Sequence, residues 1–177
     1  MSHITKIDLE INDLDALKAA LARVSPDLEF RAGQTSFKWY GEFVGDAPVP
    51  EGMSPADYGK CDHAVGIRAG APHPLGAKMN GFINDPNFGP YELGIVKIPG
   101  RNSYHLVYDE WNMVPGFHES GNGGNGLERL IGKGASALRQ AYAREVSIKT
   151  MRRQGYRVRE ELAADGTIKL HCSKAGQ

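Results

Sequence analysis

Several features common in secreted and membrane proteins are scarce in this sequence. Its 177 residues include two cysteines, Cys61 and Cys172, which are too few for a disulfide framework and suit a reducing compartment. No segment approaches the roughly 18 consecutive apolar residues of a membrane-spanning helix. The N-terminus alternates like a strand and lacks the apolar segment of a signal peptide, so we expect a cytoplasmic protein with no membrane partner. Lys plus Arg and Asp plus Glu number 21 each, so net charge gives no overall attraction to nucleic acid.

The length suits a single domain, residues 1–177, with a regular order of strand and helix patterns. Apolar residues at steps of three and four predict a first helix that is capped by Asn12 or Asp13 and stopped by Pro26. Alternation and β-branched or aromatic residues predict strands over residues 3–11, 28–32, 35–44, 63–68, 91–98, 103–111, 156–162 and 167–172. Gly and Pro are frequent in three predicted loops, residues 45–62, 69–90 and 116–126.

The longest periodic segment is residues 127–153, which predicts one amphipathic helix. Its apolar stripe consists of Leu127, Leu130, Ile131, Ala135, Leu138, Ala141 and Tyr142. Gly132 and Gly134 within it predict a close packing contact, with a ligand against bare backbone as the alternative. Glu145 and Lys149 continue the stripe, either because the helix extends beyond the sheet or because an ion pair is partly buried.

The order strand, helix, several strands, helix, hairpin predicts an α+β fold. We expect a mostly antiparallel sheet with two helices on one face. Ferredoxin-like topology with long inserted loops is the specific prediction.

Four short segments resemble a known family. They are residues 1–4 (Met-Ser-His-Ile), 138–143 (Leu-Arg-Gln-Ala-Tyr-Ala), 154–158 (Gln-Gly-Tyr-Arg-Val) and 165–170 (Asp-Gly-Thr-Ile-Lys-Leu). Together they resemble the hypothetical chloroplast reading frame thirty-five family, a domain of unknown function found in plastids, cyanobacteria, other bacteria and some phages. That family has no agreed activity, cofactor or catalytic residue, so the resemblance implies none here. Bacterial members beside AAA-type ATPase genes imply such an ATPase as a partner.

The Gly-rich segment before the long helix is a candidate phosphate site. Its backbone N–H groups could reach an anion at the electropositive helix start, with Lys133 beyond them. The segment matches neither phosphate-loop pattern, because Lys133 is followed by Gly134 and not by Ser or Thr. Nucleotide binding and a plain flexible loop are both open interpretations for Gly121, Asn122, Gly123, Gly124, Asn125 and Gly126.

No pattern predicts a metal site, a cofactor or a catalytic centre. Cys61, His63 and His73 lack the closely spaced ligand pairs of a zinc site. Residues 109–110 (Asp-Glu) and 118–120 (His-Glu-Ser) are neighbours in sequence, which is a weak sign of catalytic grouping. We therefore predict no metal, no cofactor, and a binding protein in preference to an enzyme.

Cations are concentrated towards the C-terminus. Residues 127–159 contain nine Lys or Arg and two Asp or Glu, which leaves 12 and 19 in the rest of the chain. The cations largely avoid the apolar stripe and predict a basic face, either a binding surface or a solvated exterior: Arg129, Lys133, Arg139, Arg144, Arg152, Arg153, Arg157 and Arg159. Four aromatic residues could stack on bases or fill the core of the sheet: Trp39, Tyr40, Phe43 and Trp111.

These observations predict a non-catalytic binding or adaptor protein. It would engage a protein partner, such as an AAA-type ATPase, through the basic helix or a sheet edge. The alternative is a nucleotide- or nucleic-acid-binding protein, such as a phage sequestering protein, that uses the Gly-rich loop and the basic face. Open sheet edges also favour a homo-oligomer.

Overall fold

A computed structural model describes residues 4–39, 41, 49, 53–74, 90–109, 127–164 and 167–174. The strands are β1 (Ile4–Ile11), β2 (Leu28–Ala32), β3 (His63–Ile67), β4 (Leu93–Lys97), β5 (Tyr104–Asp109), β6 (Tyr156–Leu162) and β7 (Ile168–Lys174). The helices are α1 (Leu14–Val24), α2 (Leu127–Ile131) and α3 (Ser136–Arg153). Within these ranges no helix has the length and apolar character needed to span a bilayer.

Strands β1 to β5 form one antiparallel sheet in the order β1-β5-β4-β3-β2. The α+β class with two long helices is therefore confirmed. Ferredoxin-like topology is not confirmed, because three strands lie between β1 and β2, the two strands that α1 connects. These two strands are the edges of the sheet, and β1 carries an irregularity in its pairing between Ile7 and Glu10.

Helices α1 and α3 cover one face of the sheet. Alternate residues of the strands point towards them and are fully buried, as Val65, Leu93 and Leu106 show. Leu17 on α1 and Leu138 on α3 fill the space above these residues. This layer is the main hydrophobic core, and each large aliphatic side chain buried in it contributes roughly 1.5–3 kcal/mol.

The predicted single helix over residues 127–153 is wrong near its start. Helix α2 ends at Ile131, and α3 begins only at Ser136. The backbone between them takes positive φ at Gly132 (81°), Gly134 (56°) and Ala135 (57°). The two glycines therefore serve a turn with positive φ, which L side chains adopt only with strain. Gly132 also makes a close contact, because an added Cβ would lie 2.9 Å from Ala137 N at the start of α3.

The segment after β2 covers the second face of the sheet. Phe37 lies so close to β4 that a Cβ on Gly94 would be 2.5 Å from its ring. Trp39 packs edge-on against Tyr58 with ring centroids 5.7 Å apart, which places this aromatic residue in a second core. The predicted strand at residues 35–44 is not formed over residues 35–39, where Ser36 makes one isolated bridge to Lys60. Tyr40, Phe43 and Trp111 lie outside the described residues.

Most of the other predicted helices and strands are observed, with ends that differ by a few residues from the predicted ones. Strands β1 and β2, helix α1, strands β3 to β5 and the β6–β7 hairpin all lie where the patterns placed them, within a few residues. The described part of the predicted loop at residues 45–62 contains one 3-10 turn, Pro55–Asp57. Residues 75–89 and 110–126, which hold most of the other two predicted loops, lie outside the described residues.

We expect Leu138→Ala to lower the free energy of unfolding by about 2–5 kcal/mol, because Leu138 is fully buried between α3 and the sheet. Chemical denaturation followed by circular dichroism measures the change. Gln140→Ala, at an exposed position of the same helix, is the matched control and should change stability by less than about 0.5 kcal/mol. Equal effects of the two substitutions would contradict the proposed core.

Candidate functional site: the groove between two helices

Helix α1 is positioned at its start by its own cap and by α3. Asp13 is the N-cap, and its Oδ1 accepts hydrogen bonds from Asp15 N at 3.1 Å and Ala16 N at 3.0 Å. The hydroxyl of Tyr142 on α3 accepts from Asn12 N at 2.8 Å and from Asp13 N at 3.2 Å. Backbone N–H groups at a helix start have no partner within the helix, so α3 supplies one. The start of α1 is thereby fixed against the middle of α3.

Two ion pairs cross between the same helices. Lys149 Nζ donates to Asp13 Oδ2 at 2.5 Å, and Arg23 Nε donates to Glu145 Oε1 at 2.8 Å. Glu145 and Lys149 therefore pair with α1 and not with each other. Their side chains are 16% and 35% exposed. The prediction that these two residues are partly buried therefore describes them better than the prediction that the helix extends beyond the sheet. The hydrogen bond from Lys149 holds the pKa of Asp13 below its ordinary value. The backbone hydrogen bonds that Asp13 accepts from Ala16 and Asp15 act in the same direction.

On their outer side α1 and α3 leave a groove of about 480 Å³. Buried Ala16 and Ile148 form its floor. The remaining lining residues are Asp15, Ala19, Glu145, Lys149, Arg152 and Arg153. The groove thus combines an apolar floor with a charged rim, and it lies on the helical layer and not at the sheet.

The charges on the groove's rim are not equivalent. Asp15 pairs with Lys18 at 3.3 Å, and Glu145 and Lys149 pair across the helices as described above. Arg152 and Arg153 are exposed at the end of α3 and make no ion pair within the described part of the chain. The groove therefore offers two guanidinium groups to a ligand, while its carboxylates already have cationic partners.

The predicted basic face is divided in the structure. Arg129, Lys133 and Arg139 are exposed near the start of α3, whereas the arginine pair of the groove lies at its end. Thirteen residues separate Arg139 from Arg152, which corresponds to about 20 Å along a helix. Arg157 and Arg159 are exposed on β6 as a third group, so the cations of the predicted face form separate clusters and not one continuous surface.

Arg144 departs from the predicted basic face. Its side chain is 15% exposed and forms an ion pair with Glu160 on β6. Burial and the nearby charge of Arg23 lower the pKa of Arg144. Arg144 therefore joins the β6–β7 hairpin to α3 and does not present its charge to a ligand.

Lys133 is the part of the predicted phosphate site that the structure describes. Gly121, Asn122, Gly123, Gly124, Asn125 and Gly126 lie outside the described residues. Lys133 is exposed in the left-handed turn before α3. The backbone N–H of Gly134 donates to Glu128 Oε1 at 2.9 Å. One N–H group of this turn is therefore already hydrogen-bonded to a carboxylate of the chain itself.

Two of the three candidate metal ligands, Cys61 and His63, have structural roles. Cys61 Sγ donates to the carbonyl of Gln34 at 3.1 Å, and His63 Nδ1 accepts from Gly33 N at 3.0 Å. No group of three or more His, Cys, Asp or Glu that could hold a metal is found in the ranges that the structure describes. Residues 110 and 118–120 of the weak catalytic candidates lie outside those ranges, and Asp109 is fully buried at the end of β5.

Sequence reasoning missed the α1 side of the groove. Ala16 and Ala19 are three residues apart and so share one side of the helix, and this spacing of small residues is the only signal they give. It also missed Glu92, which forms an ion pair with Arg31 and accepts from Gln34 Nε2 and Lys38 N, both at 2.9 Å. Glu92 fastens the segment after β2 to the second face, and a single Glu beside an apolar strand gives no hint of this.

The two cysteines should differ in reactivity. Burial raises the pKa of the Cys61 thiol to about 12, with the charges of Glu92 and Asp62 adding to the effect, whereas Cys172 is exposed on β7. Since the thiolate is the reactive form, we expect one fast thiol in the native protein with Ellman's reagent at pH 8 and two after denaturation. Cys172→Ser should abolish the fast reaction, and two fast thiols in the native protein would contradict this assignment.

Asp13→Asn tests the ion pair between the helices while keeping a good N-cap residue. The pKa of Asp13 is lowered by folding, so its contribution is present above the ordinary value of 3.8 and is lost as the pH falls through the folded value. At pH 7 we expect a loss of up to about 1 kcal/mol in unfolding free energy, since Lys149 is partly solvated. Denaturation at pH 7 and pH 2.5 measures the difference, which should shrink at the lower pH.

Asp8→Asn is the control for this experiment, because Asp8 is an exposed carboxylate of β1. Its substitution should change stability by less than about 0.5 kcal/mol at pH 7. A difference for Asp13→Asn that is equally large at both pH values would show that the charge of Asp13 does not stabilise the helix pair.

Comparisons of this chain with protein-family models, with curated proteins and with solved structures find no match. The resemblance to the hypothetical chloroplast reading frame thirty-five family therefore stays a prediction. Function has to be inferred from the geometry of the chain itself.

Proposed function

We propose that this protein is a non-catalytic binding module whose groove between α1 and α3 holds an acidic, amphipathic helix of a partner protein. The observation that carries the proposal is the charge of the groove. Its carboxylates are paired within the chain, whereas Arg152 and Arg153 are exposed without ion pairs among the described residues.

The shape of the groove supports a helix as its occupant. A helix that binds in a groove places apolar side chains at steps of three and four on the floor. Ala16 and Ala19 are small, so a partner backbone can approach α1 closely, and Ile148 provides an apolar surface on the α3 side. The volume of about 480 Å³ suits a few inserted side chains better than an extended macromolecular surface.

Electrostatics support an acidic partner and an orientation for it. Acidic residues of the partner would lie over the end of α3, where Arg152 and Arg153 would bind their carboxylates. The chain outside residues 127–159 carries 19 Asp or Glu and 12 Lys or Arg, so an acidic helix would be disfavoured on that part of the surface. Complementary charge would thus act mainly on the rate and register of binding.

The family resemblance suggests an AAA-type ATPase as the source of this helix. A homo-oligomer formed through β1 or β2, the edges of the large sheet, stays a prediction alongside it. The nucleotide- or nucleic-acid-binding alternative through residues 121–126 and Lys133 stays a prediction as well.

A photo-crosslinking amino acid placed at Ala19 tests the proposal in cells. We expect crosslinks to a segment that is acidic and amphipathic at helical spacing, identified by mass spectrometry. The same amino acid at Gln140, exposed elsewhere on the helical layer, is the control. Equal crosslinking at the two positions, or a segment that is neutral or basic, would contradict the proposal, and a crosslink to the chain's own peptide would replace the partner with a second copy.

The crosslinked segment, made as a labelled peptide, then allows a quantitative test. Arg152→Glu together with Arg153→Glu should weaken its binding at least tenfold, because two attractive contacts become repulsive. Arg68→Glu together with Arg101→Glu makes the same change of charge at exposed positions away from the groove and should leave the affinity within about twofold. Fluorescence anisotropy at 100 mM salt measures both.

A further inference from the structure

The β6–β7 hairpin has two chemically different faces. In its register Arg157 lies opposite Ser173, Arg159 opposite His171, and Glu161 opposite Lys169. These six residues are all exposed and share one face of the ribbon, because side chains in a strand alternate between faces. We call this face the outer face of the hairpin.

The opposite face of the hairpin is attached to the helices. Tyr156 and Val158 are partly buried there, and Glu160 forms ion pairs with Arg144 and, at 4.0 Å, with Arg23. A two-stranded hairpin is marginally stable by itself and needs such packing. The attachment leaves the outer face directed to solvent.

The outer face carries an excess of positive charge. Its one carboxylate, on Glu161, lies 2.9 Å from His171 Nε2. Arg157, Arg159 and Lys169 make no ion pair within the described part of the chain. The face therefore presents three cations, Arg157 and Arg159 at successive positions of β6 and Lys169 on β7 opposite Glu161, with the hydroxyl of Ser173 as a further hydrogen-bonding group.

We propose that the outer face of the β6–β7 hairpin binds the major groove of duplex DNA. The major groove is about 12 Å wide and admits a two-stranded β-ribbon, whose strands lie about 4.8 Å apart. Seven-residue strands extend about 24 Å, which is enough to follow the groove across several base pairs. Guanidinium groups at Arg157 and Arg159 can form paired hydrogen bonds with phosphates or guanine edges, and Lys169 supplies a point charge.

This surface is separate from the groove of the proposed function. The groove uses the outer side of α1 and α3 with Arg152 and Arg153, whereas the DNA-binding face belongs to the hairpin alone. Duplex RNA is a poor fit, because its major groove is deep and narrow and side chains cannot read it. The shape of the hairpin therefore favours duplex DNA over duplex RNA. Its position separates this surface from the groove that we propose for the acidic helix.

Fluorescence anisotropy with a labelled 20-base-pair DNA duplex of mixed sequence tests the proposal over 50–200 mM KCl. Three phosphate contacts predict a slope of log K against log salt of about −2.7 for their contribution. The variant with Arg157→Ala, Arg159→Ala and Lys169→Ala should lose most of this slope and weaken binding at least tenfold at 50 mM. The control variant with Arg68→Ala, Arg101→Ala and Lys97→Ala removes the same side-chain types at exposed positions elsewhere and should stay within about twofold.

Circular dichroism and thermal melting of both triple variants confirm that affinity and not folding has changed. Absence of binding by the native chain at 50 mM KCl would overturn the proposal, as would equal losses in the two triple variants. A duplex RNA that binds as tightly as the DNA would overturn the assignment to the major groove. If the hairpin variant loses the crosslinked acidic peptide and keeps DNA, the hairpin belongs to the protein partner; if Arg152→Glu with Arg153→Glu loses only the peptide, the two surfaces act separately.

Discussion

The contact between α1 and α3 is the constraint on which the rest of the structure depends. Tyr142 is buried and its hydroxyl accepts two backbone N–H groups at the start of α1. These N–H groups have no partner within α1, so this single side chain couples helix packing to helix capping. The two ion pairs between the helices add little energy because they are partly solvated, but they fix which faces of the helices meet. The groove exists only because this crossing is fixed.

Coverage of both sheet faces determines where a partner can bind. Helices cover one face, and the segment after β2 covers the other with Phe37 and Trp39. Glu92, which lies just before β4, holds that segment in place. It forms an ion pair with Arg31 of β2 and accepts a hydrogen bond from Gln34 in the segment itself. Both faces of the sheet are therefore covered. Among the described residues, the outer side of the helices, the hairpin and the sheet edges stay exposed to a partner.

Charged residues that form ion pairs lie in different parts of the structure from charged residues that do not. Acidic residues near α1 and α3 are matched by cations of the same layer, as Asp13, Glu145 and Glu160 show. The arginines beyond them, at the end of α3 and on the outer face of the hairpin, are exposed and unmatched in the described residues. A chain with zero net charge can therefore present several local cationic surfaces, which steer acidic ligands over distances of about a Debye length.

The sequence by itself determined the class of fold and most of the elements, since periodicities of two and 3.6 report which residues face a core. Leu138 was identifiable as a core residue for that reason. It failed at Gly132 to Ala135, because a glycine pair is compatible with both a packed helix and a left-handed turn, and only the surrounding packing selects between them.

Only the tertiary structure decided which cations are available. Arg144 and Arg152 are both arginines of α3, yet one is paired with Glu160 and the other is exposed. Pairing depends on which distant segment lies beside each residue, and that is a property of the sheet order and the helix crossing and not of local spacing. The groove arises in the same way, because Ala16 and Ile148 meet only when two helices more than a hundred residues apart are packed together.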